Sequence, residues 1–159
     1  MIAELESIAH FYGLGDSHLD RLVGDFLAED WQVRDAAGHT PRWITGHLAV
    51  YRLRLVELMG MPPMIAEWVA AFGRGTSDAD VPATLDLRSV VMVFHEAHQR
   101  MAGHWEQLAP EQFARPLGRT MPDGSGTVGG MLRFLAWHEA YHLGQLGLLR
   151  RLAGKPGIA

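Results

Sequence analysis

Phe134-Leu135-Ala136-Trp137-His138-Glu139-Ala140-Tyr141-His142-Leu143-Gly144-Gln145-Leu146 decides how the rest of this chain is read. The stretch lies in the last long apolar-periodic segment, from about Thr127 to Ala153. Met131, Leu135, His138, His142, Gln145, Leu149 and Leu152 recur there at steps of four and three. That spacing marks one helical face turned towards a core. Two histidines and a glutamine therefore stand where a core would take leucine. His138 and His142 are one turn apart on the same face, so both imidazoles can reach a single ion. A lone histidine in such a seam reads most simply as a hydrogen-bonded core residue. A pair at i, i+4 points to a metal, because an unpaired buried imidazole is unfavourable and one ion satisfies both.

Three further segments carry the same period. The first, about Ile2 to Phe26, places Leu5, Ile8, Tyr12, Gly15, Leu19, Leu22 and Phe26 on one stripe, with Gly13 and Gly15 marking a kink or a space for something bulky. The second opens with Thr40 as N-cap and Pro41 at the first helical position, and stops near Met59 before Gly60 and Pro62-Pro63. Its stripe runs through Ile44, His47 or Leu48, Tyr51, Leu55 and Leu58, which makes His47 the best third partner for the later pair. The third, about Leu85 to Leu108, carries Leu87, Val91, Phe94, His98, Met101, Trp105 and Leu108. His98 is core-facing there, as a pocket residue or a bonded core histidine, whereas His95 and His104 read as surface residues. A short helix is expected within 64–72 and loops over 73–83 and 115–126. On the last helix, Ala136, Ala140, Gly144 and Gly147 form a small-residue stripe that allows close approach of another helix.

Four long amphipathic segments, no convincing strand and long connections predict an all-α fold. It is an antiparallel four-helix bundle, one domain over residues 1–159, with a metal site in the bundle core.

Composition narrows the chemistry. The chain has 159 residues, net charge −4, one lysine against thirteen arginines and no basic stripe, which argues against nucleic acid as a partner. It has no cysteine, so any metal must be held by His, Asp or Glu, and any reactive thiol must come from a cosubstrate. Met1-Ile2-Ala3-Glu4-Leu5-Glu6 lacks the pattern of a secretory signal and no apolar run approaches membrane-spanning length, so a cytoplasmic protein with no membrane partner is expected.

The blocks Trp43-Ile44-Thr45-Gly46-His47-Leu48-Ala49-Val50-Tyr51-Arg52 and Phe134 to Leu146, with the tail Leu149-Arg150-Arg151-Leu152-Ala153-Gly154-Lys155-Pro156-Gly157, resemble the DinB-like superfamily, a group of metalloenzyme-like proteins that includes the bacillithiol transferases. The resemblance spans nearly the whole chain and is weakest in its middle third. It implies a four-helix bundle, commonly dimeric, with one histidine from the second helix and an H-x-x-x-H pair from the last. Those positions are His47, His138 and His142 here. It also implies thiol-transfer chemistry with a low-molecular-weight thiol.

Three imidazoles with an open position are the ligand set of a catalytic site. They suit a divalent transition metal, zinc or nickel foremost, with iron or copper as alternatives. The expected reaction is transfer of a low-molecular-weight thiol to a small electrophilic substrate, or its hydrolysis. Tyr12, Tyr51 and His98 are expected to line the pocket, and the loops at 60–83 and 114–126 to shape its mouth. Glu139 is a candidate general base, unless it is simply solvated. Gln145 is a candidate to hydrogen-bond water or substrate at the ion, unless it is bonded to nearby backbone. The small-residue stripe and the resemblance together suggest a homodimer.

Two rivals remain at this point. His138-Glu139-Ala140-Tyr141-His142 reads as the H-E-x-x-H of zinc proteases, but no His, Asp or Glu follows His142 to complete the extended protease pattern. The other rival is a metal-free small-ligand-binding or stress-response bundle whose histidines merely line a pocket.

Overall fold

A computed structural model describes residues 3–158. The start expected at Ile2 lies outside them. Four long helices form the fold: α1 (Ala3–Val23), α2 (Pro41–Leu58), α3 (Leu87–Ala102) and α5 (Val128–Leu152). A short α4 (Pro110–Ala114) and four 3-10 turns lie between them. No strand occurs among the described residues; the one β feature is an isolated bridge, Pro116 to Thr127.

Local chemistry sets the helix ends. Thr40 and Thr127 cap α2 and α5, accepting from the backbone N–H of Trp43 at 3.3 Å and of Gly130 at 3.1 Å. Helix α1 stops at Val23, three residues short of the expected Phe26. Gly24 leaves the helix there, and the Phe26 ring folds back against the core. Helix α3 stops at Ala102 rather than Leu108, with Gly103 as its C-cap. Trp105 then enters the core from a separate 3-10 turn. The segment expected as a short helix over 64–72 is a 3-10 helix, Glu67–Phe72.

The core divides into two ends. One gathers Leu5, Ile8 and Tyr12 of α1 with Leu55 and Met59 of α2, Met101 of α3 and Leu132 of α5. The other gathers Leu19 and Leu22 of α1, Ile44 and Leu48 of α2, Val90 and Phe94 of α3, and Leu146 and Leu149 of α5. Helices α1 and α5 therefore run in one direction, and α2 and α3 in the other. The expected all-α four-helix bundle forms: its antiparallel pairs run across α1–α3 and α2–α5, while α1–α5 and α2–α3 are parallel neighbours.

The reason is topological. A helix can be followed by a parallel neighbour only if the chain travels back along the bundle, and the connection 59–86 does so beside α2. Its length exceeds that of the 18-residue α2, which spans about 27 Å at 1.5 Å per residue. Asp78 pins it to the start of α2. Its carboxylate accepts from Thr40 Oγ1 at 2.6 Å, from Arg34 Nη2 at 2.5 Å and from Arg42 Nε. Burial pushes the Asp78 carboxyl up, but these donors outweigh it and hold its pKa at about 2. That crossover brings Phe72 into the core beside His47, with the exposed Arg74 two residues on.

Candidate metal centre

His47 enters from α2, and His138 and His142 from α5. One nitrogen from each lies within 4.8 Å of those of the other two. His138 Nε2 is 3.4 Å from His47 Nε2 and 3.1 Å from His142 Nε2. Three ligands about 2.1 Å from a tetrahedral ion would lie about 3.4 Å apart, so the spacing is that of a site for one metal.

The outer nitrogens of two rings are fixed. His47 Nδ1–H donates to the Phe72 carbonyl at 2.8 Å, and His142 Nδ1–H donates to Gln145 Oε1 at 2.7 Å. Each bond sets the tautomer, leaving the Nε2 lone pair turned inward, as in orienting bonds around metal-bound histidines. His138 Nδ1 is buried without a partner, so this ring makes its polar contacts through Nε2 alone. Burial pulls all three imidazoles below their ordinary pKa. For His138 the next cause is His47, giving about 4. For His142, His138 and His47 add to burial, giving about 3. All three are neutral near pH 7, the form that binds metal. Three neutral lone pairs converging away from other donors form a set that one cation satisfies, so the residues fit a divalent ion.

Packing holds the rings in place. The indole of Trp43 stacks on His47 at 4.6 Å, and Tyr51 packs against His47 at 4.8 Å and His138 at 4.6 Å. Gly46 is required beside them, because a Cβ there would run into the Phe72 ring, whose own carbonyl orients His47. A cavity of about 770 Å³ opens from the site. His47, Tyr51, Phe134 and His138 form its inner wall, and both expected loops reach it, through Arg74 and through Arg119 to Pro122.

The remaining predicted site residues separate into two groups. Tyr51 lines the cavity; His98 and Tyr12 do not. Tyr12 is fully buried, with its hydroxyl donating to the Leu132 carbonyl at 2.8 Å, and His98 Nδ1 lies 3.1 Å from Arg52 Nη1. Gln145 Oε1 accepts from His142 Nδ1–H and so orients that ring. Glu139 is neither solvated nor aimed at the histidines. Its two oxygens accept from Arg52 Nε and Nη2, both at 2.6 Å, with Arg52 wholly buried. That engagement removes the base the H-E-x-x-H protease reading requires. The buried seam of α5 consequently runs through Glu139 and Leu146, and Leu152, expected on it, is 54% exposed. His95 and His104, expected on the surface, are half-buried. The former donates to Asp16 and Asp20, the latter to the Met59 carbonyl at 3.1 Å.

Arg52 went unread in the sequence. The signal was available: Leu48, Arg52, Leu55 and Met59 keep the four-and-three spacing, and Gly15 leaves a gap opposite. A Cβ on Gly15 would overlap Glu139 Oε1. The glycine is the space in which the ion pair sits.

A family model described as the DinB superfamily matches residues 16–146. No curated protein sequence matches the chain significantly. Among solved structures, the chain is similar to YfiT from Bacillus subtilis, with 18% identity, a TM-score of 0.71, and coverage of 98% of this chain and 91% of that one. YfiT is described as a probable metal-dependent hydrolase with an unusual four-helix bundle topology. With the match running from mid-α1 to the seam of α5 and taking in all three converging histidines, the chain belongs to the DinB superfamily.

Proposed function

We propose that this protein is a metal-dependent enzyme in which His47, His138 and His142 hold one divalent transition metal, zinc or nickel foremost. It would transfer a low-molecular-weight thiol to a small electrophile, with water as the alternative nucleophile. The observation that carries the reading is the convergence of three Nε2 atoms, two of them fixed as acceptors by hydrogen bonds on the far side of their rings. When bound, such an ion supplies a Lewis acid that activates water or a thiol for attack. The chain itself orients the three rings, keeps them neutral, and offers a half-apolar cavity in which Phe134, Met131 and Tyr51 can exclude water from the reacting atoms. The absence of cysteine leaves the thiol to a cosubstrate. The description of YfiT as metal-dependent agrees with this reading and favours hydrolysis as its second form.

Metal analysis of purified protein is the first test. Close to one divalent metal per chain is expected, and the His138→Ala, His142→Ala double variant should lose it. Full metal content in that variant would sink the assignment. The reaction is tested by supplying metal-loaded protein with several biological thiols and a monochlorobimane-type electrophile. Conjugation no faster than with His142→Ala, across all thiols, removes the transferase form and leaves hydrolysis to be tried on esters and amides.

The same reading includes a homodimer formed through the α1–α5 face. Gly144 on the small-residue stripe has nothing within 4 Å of the place a Cβ would occupy, and Phe11, Trp137 and Tyr141 stand exposed around it. Light scattering should give about twice the 17.6 kDa chain mass at micromolar concentration; a value of 17.6 kDa would end this part of the reading.

A further inference from the structure

Beyond the histidines, the cavity wall is basic. Arg54, Arg74 and Arg119 line it, and no Asp or Glu does. The chain as a whole carries a net charge of −4, so the patch does not follow from composition. Six other arginines are neutralised, Arg34 and Arg42 by Asp78, Arg52 by Glu139, Arg100 by Glu96, Arg133 by Glu4 and Arg150 by Asp25, whereas the surface residues Arg88, Arg115 and Arg151 line no part of the cavity. Among the described residues, no carboxylate lies within ion-pair distance of Arg54, Arg74 or Arg119, although all three are long enough and exposed enough to find one.

Their placement is convergent. Arg54 lies seven residues after His47 on α2, hence on the same face, with Tyr51 between them and its guanidinium 5.0 Å from the Tyr51 ring centroid. Arg74 follows Phe72, the residue whose carbonyl fixes His47. Arg119 comes from the loop before α5. Three cations from three separate segments line one cavity, together with the apolar side chains of Met131 and Phe134. Like charges brought together without counter-charges are unfavourable unless an anion completes them, and arginine is the side chain best suited to grip a carboxylate or phosphate.

We propose that the cavity takes an anionic small molecule, its carboxylate or phosphate held by Arg54, Arg74 and Arg119, its apolar part against Phe134 and Met131, and its reacting atom at the histidines. A cavity of about 770 Å³ matches a small molecule rather than a polymer. The anionic group belongs to the substrate or to the thiol cosubstrate. This names the substrate class of the site proposed above and rests on that reading, but the arginines can be tested without the metal.

The test is calorimetric titration of metal-free and zinc-loaded protein with succinate, inorganic phosphate and neutral succinamide at millimolar concentrations. Zinc content is measured in parallel. At least one anion should bind to both forms, with succinamide roughly tenfold weaker or worse, and added salt should weaken the anion. Whichever of succinate and phosphate binds more tightly identifies the anionic group. Arg54→Gln, Arg74→Gln and Arg119→Gln should each weaken the anion roughly five- to tenfold with zinc stoichiometry unchanged. Equal binding of succinate and succinamide, no binding of either anion, or unchanged affinity in all three variants would overturn the proposal. Failure of zinc to bind while the anion still does would instead strike the metal reading alone.

Discussion

His138 and Glu139 are neighbours in the sequence, and both meet α2, yet they end in opposite situations. Glu139 faces Arg52, whose guanidinium also donates to the Tyr12 carbonyl at 2.8 Å and lies against the Tyr12 and Phe94 rings at 4.7 and 4.5 Å. Every polar atom of that pair is engaged, and both side chains are buried. Burial raises the pKa of the Glu139 carboxyl above its ordinary value, and Arg52 offsets only part of that rise. His138 faces two other imidazoles across 3.1 and 3.4 Å, with its own Nδ1 buried and unpartnered, beside an open cavity. Both clusters are polar, central and built on the same two helices. What separates them is whether donors and acceptors balance. A cluster that balances holds the bundle together; one that does not is waiting for a ligand.

The largest expected effect comes from unbalancing the balanced cluster. Glu139→Ala leaves a wholly buried guanidinium without its counter-charge, which should destabilise by about 3–5 kcal/mol. Denaturant unfolding measures it. Removing both charges as Arg52→Met with Glu139→Ala should recover much of the loss, since no buried charge then stands alone. If the double variant is no more stable than Glu139→Ala, the pair is not the closed structural unit described above. A smaller loss, about 1–3 kcal/mol, is expected for Gly15→Ala, whose methyl would press on Glu139 Oε1 and force the ion pair to shift. Stability within error of the wild type would show that the pair has room to spare.

Asp78 is a second balanced cluster, and its contribution depends on pH. Its folded pKa of about 2 lies below the ordinary 3.8, so the native state binds this proton less readily than the unfolded chain. The stabilisation is therefore complete above about pH 4 and is lost as pH falls towards 2. Asp78→Asn should lower stability at neutral pH, and the gap between wild type and variant should close over that window. A gap that stays constant from pH 6 to 2 would mean that the carboxylate charge is not what pins the crossover to α2.

The histidine side of the comparison was legible in the sequence because period and residue type conflict there: His138 and His142 interrupt an apolar stripe, and His47 repeats the conflict on α2. The four helices were legible for the same reason, through Thr40-Pro41 and the unbroken spacing of Leu5 to Leu22. The arginine–glutamate side was not. A single Arg or Glu in an amphipathic helix reads as solvated, and only the pairing of Arg52 with Glu139 and with the gap at Gly15, far apart in sequence, shows otherwise. Helix direction was hidden too, since periodicity says which face is buried and nothing about which neighbour runs parallel. Arg74 and Arg119 lie in segments without period, so their convergence needed the crossover and the 115–126 loop to be placed in space.

The smallest expected effect is the sharpest test of the comparison. His138→Leu removes the imidazole whose Nδ1 is buried without a partner and whose Nε2 crowds two others. Leucine is the residue the periodicity asks for at that position, and it would pack against Tyr51 and Phe134, which already border the ring. The metal-free protein should therefore change by no more than about 1 kcal/mol, in either direction, because apolar burial is gained as fast as polar contacts are lost. Its metal content should fall well below that of the wild type. Denaturation with a chelator present, alongside metal analysis of the same preparations, measures both. A loss of 3 kcal/mol or more without metal, on the scale expected for Glu139→Ala, would place His138 among the structural groups and erase the distinction between the two clusters. Little change in stability together with lost metal is the pattern that only a ligand shows.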